Sequence, residues 1–260
     1  MRLKGKRAII TGPVKGMGAA ISEKVAQEGA DLVLAGRDVA PIEMLAAKLR
    51  KLGRKVEVVR ADVVSESDVA AMVQRALAVF DGRIDILVNV AGITGPMETP
   101  AWEVAAGAFD EVLRVNVLGT FLPIRHVLPT MIKQRSGKIV NIGGTSGMRG
   151  YRYRVGYSSS KWAVRGLTRT VALDVGEYNI NVNAVCPGIV ETPRMEKLCR
   201  EKAAKRGWTY EQVYDEYVQE MALKRVTAPE DVANAVVFMA SEESRQMTGK
   251  EIVVDGGWDV

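Results

Sequence analysis

Histidine occurs once in this chain and cysteine twice, and no apolar run approaches the length of a membrane span. Each shortage removes a class of protein. Two cysteines, Cys186 and Cys199, make no disulfide framework, so a reducing, cytoplasmic setting is expected. Neither stands in a CxxC pair or beside a histidine, so no metal site is expected. The lone histidine, His126, lies in Pro123-Ile124-Arg125-His126-Val127, inside a helical pattern. That argues against a Ser/His/Asp triad and leaves packing or subunit contact as its role. A bilayer span needs ~18 or more consecutive apolar residues, so no membrane partner is expected. Residues 1–6 lead straight into an apolar strand pattern, and no leader peptide is expected.

What is present is ordinary globular material: 260 residues, 47% hydrophobic and 26% charged. That length suits one domain, 1–260, with a substantial core. The net charge is +5, but the basic residues are scattered and form no nucleic-acid motif. A solvated basic surface and no nucleic-acid partner are expected. Strand patterns at 8–11, 31–35, 55–61, 84–89, 138–142, 181–186 and 251–254 alternate with helical ones. The helical patterns are 18–28, 40–52, 66–80, 108–131, 156–175 and 229–239. Alternation of this kind predicts an α/β fold, a parallel sheet of about seven strands with helices on both faces. The longest interruption, 189–228, carries two charged helical patterns, 194–206 and 211–223. An insertion of this size before the last strand is expected to form a lid.

Two constellations carry chemistry. Tyr157 and Lys161 are four residues apart, about one helical turn, so they share a face. An ammonium beside a phenol favours the phenolate, which makes the pair a proton-transfer device. Near the N-terminus, the strand pattern at 8–11 runs into Thr11-Gly12-Pro13-Val14-Lys15-Gly16-Met17-Gly18 and then into a helix. Strand, glycine loop and helix N-terminus are what a dinucleotide pyrophosphate needs.

These pieces occur in order with Asp62-Val63, Asn89-Val90-Ala91-Gly92, Asn116, Pro187-Gly188 and Asp255-Gly256-Gly257. Together they span residues 11–257, and the chain resembles the short-chain dehydrogenase/reductase family. The resemblance implies a single doubly wound, Rossmann-like sheet with a helical substrate lid at 189–228. It implies an NAD(P)(H)-dependent oxidoreductase interconverting a secondary alcohol and a ketone or aldehyde. In it Tyr157 exchanges the proton, Lys161 lowers its pKa and holds the nicotinamide ribose, and Asn116 supports a water relay. Read from the residues alone, Asn116 is a helix-bending asparagine. Gly12, Gly16, Met17 and Gly18 would face the cofactor phosphates, Asp62 and Val63 the adenine. Asn89, Ala91 and Gly92 would let the cofactor pass along the sheet edge. Pro187, Gly188, Val190 and Thr192 would hold the carboxamide. Resembling proteins are homo-oligomers, dimers or tetramers, and the helices 108–131 and 156–175 have faces suited to such contact.

The cofactor choice turns on another absence. An NAD enzyme of this fold usually places a carboxylate at the end of the second strand, and Gly36 stands there. Arg37 follows and Lys15 lies in the glycine loop, so two cations meet one phosphate. NADP(H) is favoured, with Asp38 leaving NAD(H) as the alternative.

The family also places a serine thirteen residues before its tyrosine, where this chain has Gly144. Two readings follow. Either Ser146, on the same side of an extended segment, or Thr145 supplies the hydroxyl to the substrate, or catalysis is impaired and the chain is a cofactor-binding member. The run Arg149-Gly150-Tyr151-Arg152-Tyr153-Arg154, with Arg194, Lys197 and Arg200 on the lid, is either solvent-facing or selects an anionic substrate. The expected substrate set is Gly144, Thr145, Ser146, Arg152 and Tyr157, around a small-molecule alcohol or carbonyl.

Overall fold

The computed structural model describes residues 1–258, so the expected domain, 1–260, ends outside the described residues. The apolar runs become strands β1 (Arg7–Thr11), β2 (Asp31–Gly36), β3 (Val56–Arg60), β4 (Ile86–Asn89), β5 (Gly137–Ile142), β6 (Ile180–Pro187) and β7 (Glu251–Val254). The helices are α1 (Met17–Gln27), α2 (Val39–Arg50), α3 (Glu66–Val79), α4 (Ala106–Leu113), α5 (Gly119–Gln134), α6 (Val155–Val175), α7 (Pro193–Arg206), α8 (Tyr210–Glu220) and α9 (Pro229–Ala240).

All neighbouring strands pair in parallel, in the order β3-β2-β1-β4-β5-β6-β7. Side chains alternate across the sheet. Ala8, Ile10, Leu32 and Leu34 join one core with Ile21 and Val25 of α1, Leu45 of α2 and Val236 of α9. Ile9, Val33 and Ala35 join the other, with Met72 of α3, Met131 of α5 and Val171 of α6. Both faces are therefore apolar, which is why the strands read as continuous apolar runs. The chain steps outward from β1 to β3, then crosses back to β4 on the other side of β1. That reversal opens a crevice beyond the carboxyl ends of β1 and β4.

Helices α7 and α8 carry their own small core of Met195, Cys199, Val213 and Tyr217, against which Trp258 packs. No helix among the described residues is long and apolar enough to cross a membrane.

Three expected boundaries are corrected. The helix at 108–131 is not continuous: a π turn, Arg114–Leu118, separates α4 from α5. It carries Asn116 inward, where the side chain bonds the backbone of Ile93 on both sides. The helix at 211–223 stops at Glu220, because the N–H groups of Ala222 and Leu223 donate to the carbonyls of Gly257 and Gly256. The fourth strand begins at Ile86 rather than 84, since the backbone of Ile84 is taken by the Gln134 amide.

Candidate active site

The loops after β1, β4, β5 and β6 converge on the crevice. After β1 the chain turns at Gly12 and enters α1 at Gly16, with no side-chain cap on that helix. A Cβ on Gly18 would lie 2.1 Å from the Gly12 carbonyl oxygen, so only glycine lets the loop fold this tightly onto α1. The Thr11 hydroxyl accepts from Val90 and Ala91 N–H at 3.3 and 3.4 Å, fixing the glycine loop against the end of β4. The uncapped first turn of α1 presents N–H groups to an anion, and no carboxylate follows β2 until Asp38. Lys15 and Arg37 are exposed. These residues fit a dinucleotide. Val63 is buried against Gly119, and the Asp62 carboxylate accepts from Val64 N–H at 3.2 Å.

Asn89 is buried and donates to Asn141 Oδ1 at 3.0 Å, while Asn141 donates to Thr168 Oγ1 at 2.9 Å. This polar chain ties β4 to β5 and α6 beneath the crevice. Sequence reasoning missed it, because its members lie far apart along the chain. The Asn116 amide donates to Ser160 Oγ at 2.9 Å, and Ser160 donates to the Tyr157 carbonyl at 2.7 Å. Asn116 thus braces the first turn of α6, and a Cβ on Gly92 would lie 3.1 Å from its Oδ1.

Tyr157 is half-buried, and Lys161 is buried one turn later on α6. The Lys161 ammonium donates to the Ile142 carbonyl at 2.8 Å and stands 5.6 Å from the Tyr157 ring centre. Burial alone would raise the Tyr157 pKa, but the charges of Lys161, Arg194 and Arg154 outweigh it and hold the phenol below its ordinary value. Burial lowers the Lys161 pKa, opposed by Tyr157 and assisted by Arg194. The Arg154 guanidinium lies 4.9 Å over the Tyr157 ring.

A cleft of about 630 Å³ opens above Tyr157, and Met17, Gly144, Thr145, Ser146, Arg152, Pro187, Gly188, Val190 and Thr192 are among its lining residues. The Thr192 hydroxyl caps α7 by accepting from Met195 N–H and donates to the Val190 carbonyl. Gly12, Asp62, Val63, Asn89, Ala91 and Asn116 are not among the lining residues. His126 stands apart, its Nε2 3.6 Å from Glu66. Among the described residues no group of His, Cys, Asp and Glu is arranged to hold a metal.

The segment after β5 departs from the extended form on which the Ser146 expectation rested. Thr145–Gly147 is a 3-10 turn, closed by Gly147 N–H donating to the Gly144 carbonyl at 2.9 Å. Alternation across a strand therefore does not apply there. Both Thr145 and Ser146 line the cleft, but Thr145 is buried and its hydroxyl accepts from Tyr151 at 3.2 Å. A Cβ on Gly144 would lie 4.0 Å from the Tyr157 hydroxyl, so a serine there has room. Its backbone is the obstacle: φ 153° with ψ 152° is a glycine conformation. Gly144→Ser and Gly144→Ala are both expected to lose about 1–3 kcal/mol in urea unfolding. A serine variant as stable as the parent would show that this backbone relaxes freely.

Of the arginine-rich run, Arg152 is exposed on the cleft wall, and Arg154 is the guanidinium at the tyrosine. Arg194, at the start of α7, donates to the Gly92 carbonyl at 3.0 Å and so links α7 to the β4 loop.

A family model described as Enoyl-(Acyl carrier protein) reductase matches residues 12–259. The chain is 37% identical over 265 residues to the 3-oxoacyl-[acyl-carrier-protein] reductase FabG of Thermotoga maritima, covering 99% of each. A solved xylitol dehydrogenase with NAD+ bound superposes with a TM-score of 0.94 at 30% identity, covering 99% of this chain and 100% of that one. A single-site variant of the actinorhodin polyketide ketoreductase, solved with NADPH, gives 0.92 at 29% identity, covering 97% of both. With this coverage and this fold, the chain belongs to the short-chain dehydrogenase/reductase family and is an NAD(P)-dependent oxidoreductase.

Proposed function

We propose that this chain interconverts a secondary alcohol and a ketone or aldehyde, with NADP(H) as the favoured cofactor. The observation that carries the reading is a half-buried phenol, Tyr157, with the buried ammonium of Lys161 one turn away and a cleft above it. The bound nicotinamide supplies or accepts the hydride. Tyr157 gives its proton to the carbonyl oxygen in reduction and removes one from the alcohol in oxidation. Lys161 stabilises the phenolate that reduction leaves behind. Asn116 holds the first turn of α6, and with it Tyr157, in register with the β4 loop. Ser146, lining the cleft, is the candidate hydroxyl where Gly144 has none. That absence alone favours the second reading, a cofactor-binding member with impaired catalysis.

Lys15 and Arg37 would receive the 2′-phosphate, with Gly36 in place of a repelling carboxylate. Arg37→Asp is expected to weaken NADPH binding by roughly ten- to a hundredfold and to change NADH binding by less than about threefold. Equal weakening of both, measured by cofactor fluorescence titration, would count against this assignment. Residues 189–228, holding α7 and α8, act as the substrate lid in this reading. The exposed Phe121, Trp162 and Leu173, on α5 and α6, support a homo-oligomer built on those helices.

A further inference from the structure

Among the described residues, the cleft over Tyr157 is lined by more cations than carboxylates. Some of these cations are already engaged. Arg149 bonds the Tyr151 hydroxyl at 2.8 Å, and Lys202 and Arg206 share Glu216 at 3.4 and 2.9 Å. Arg154 and Arg194 form no ion pair among the described residues, and Arg194 donates to the neutral Gly92 carbonyl. Two carboxylates line the same cleft, Glu98 and Glu220. Glu220 accepts from the Trp258 indole at 2.7 Å, and neither carboxylate reaches these two arginines.

Arg154 Nη1 is buried and has no hydrogen-bond partner. Such a donor is costly when left unmade, more so when charged, and buried polar groups are as a rule paired. Its guanidinium lies 4.9 Å over the ring of the residue that exchanges the proton. Arg194, in the first turn of α7, lines the same cleft as Tyr157, and its charge helps to lower the Tyr157 pKa. Two guanidinium forks beside one phenol suit a planar or trigonal acid group next to the reacting carbon.

We propose that Arg154 and Arg194 clamp an acid group carried by the substrate, so that this chain acts on short oxo acids and hydroxy acids. The acid group is a carboxylate or sulfonate about two or three bonds from the reacting carbon, the reach of a charge-assisted bond of ~2.7–2.9 Å. The clamp rests on the oxidoreductase reading above. It also accounts for how a chain with Gly144 positions its carbonyl: the acid group fixes the substrate before the proton moves, where position 144 offers no hydroxyl.

The test measures NADPH oxidation with acetoacetate, acetone sulfonate and the neutral methyl acetoacetate, for the parent chain, Arg154→Gln, Arg154→Lys and Arg194→Gln. NADPH titration of each variant reports whether its fold and cofactor site are intact. The parent is expected to prefer the acids, and the lower KM of the two names the group. Each Gln variant is expected to raise KM for the acids by roughly ten- to a hundredfold while moving that of the ester by less than about threefold. Arg154→Lys, which keeps the charge, is expected to recover part of that loss. Equal losses for acid and ester, or a parent that prefers the ester, would overturn the clamp and leave the oxidoreductase standing. Parent chain that binds NADPH and reduces none of the three would overturn the clamp, and one that reduces no other carbonyl either would overturn the oxidoreductase reading as well.

Discussion

Tyr157→Phe is expected to lower kcat by roughly 10²- to 10⁴-fold, the range that a positioned general acid or base supplies. The ring remains, so the packing of Arg154 over it is retained and the variant is expected to fold. The backbone carbonyl that accepts from Ser160 is also untouched. NADPH binding is expected to stay within about threefold of the parent, because only one hydroxyl is lost. The split is the informative part. A structural role for Tyr157 would lower stability and cofactor binding together, whereas a proton-transfer role lowers kcat alone. Full retention of kcat in Tyr157→Phe would remove Tyr157 from the reaction.

Lys161→Met is expected to show the second large effect, in both rate and pH dependence. Burial pushes the Tyr157 pKa up; Lys161 is the first of the charges that pull it down, followed by Arg194 and Arg154. Oxidation needs the phenolate, which is populated above that pKa. In the parent, therefore, alcohol oxidation is expected to rise and level off below the ordinary phenol value of ~10. Reduction needs the phenol and falls as pH rises through the same point. Without Lys161 the pKa rises, so the oxidation limb moves to higher pH and reduction persists further into alkali. Arg154 and Arg194 remain, so part of the depression is kept. The rate itself is expected to drop about 10²-fold, the size seen when one charge-stabilising donor is lost. The kcat/KM profile against pH, taken in both directions, is the measurement. A profile that does not move would mean that Lys161 only anchors α6 to the Ile142 carbonyl.

The sheet was legible because its strands are apolar on both faces, and each run of this kind became a strand within a residue or two of its expected ends. The break between α4 and α5 was not legible. Asn116 is pulled inward by Ile93 and Ser160, partners 23 and 44 residues away, and no local pattern announces them. Around the site, the missing hydroxyl was visible as a letter, Gly144, but the path of the chain after it was not. The segment after it curls into a 3-10 turn rather than running on as strand, so the face on which Ser146 lies was not readable from alternation. Arg152 and Arg154 could not be ranked from sequence either, since both precede the first turn of α6. Arg154, the N-cap residue of α6, lays its guanidinium over the Tyr157 ring, whereas Arg152 is exposed.

The most direct measurement is a single turnover of the parent chain with NADPH deuterated at the transferring position, mixed with acetoacetate, followed by analysis of the product. The predicted result is one deuterium on the carbinol carbon for each NADPH consumed. NADPH that binds tightly and is never oxidised, with acetoacetate or any other carbonyl, would contradict it and make this chain a cofactor-binding scaffold.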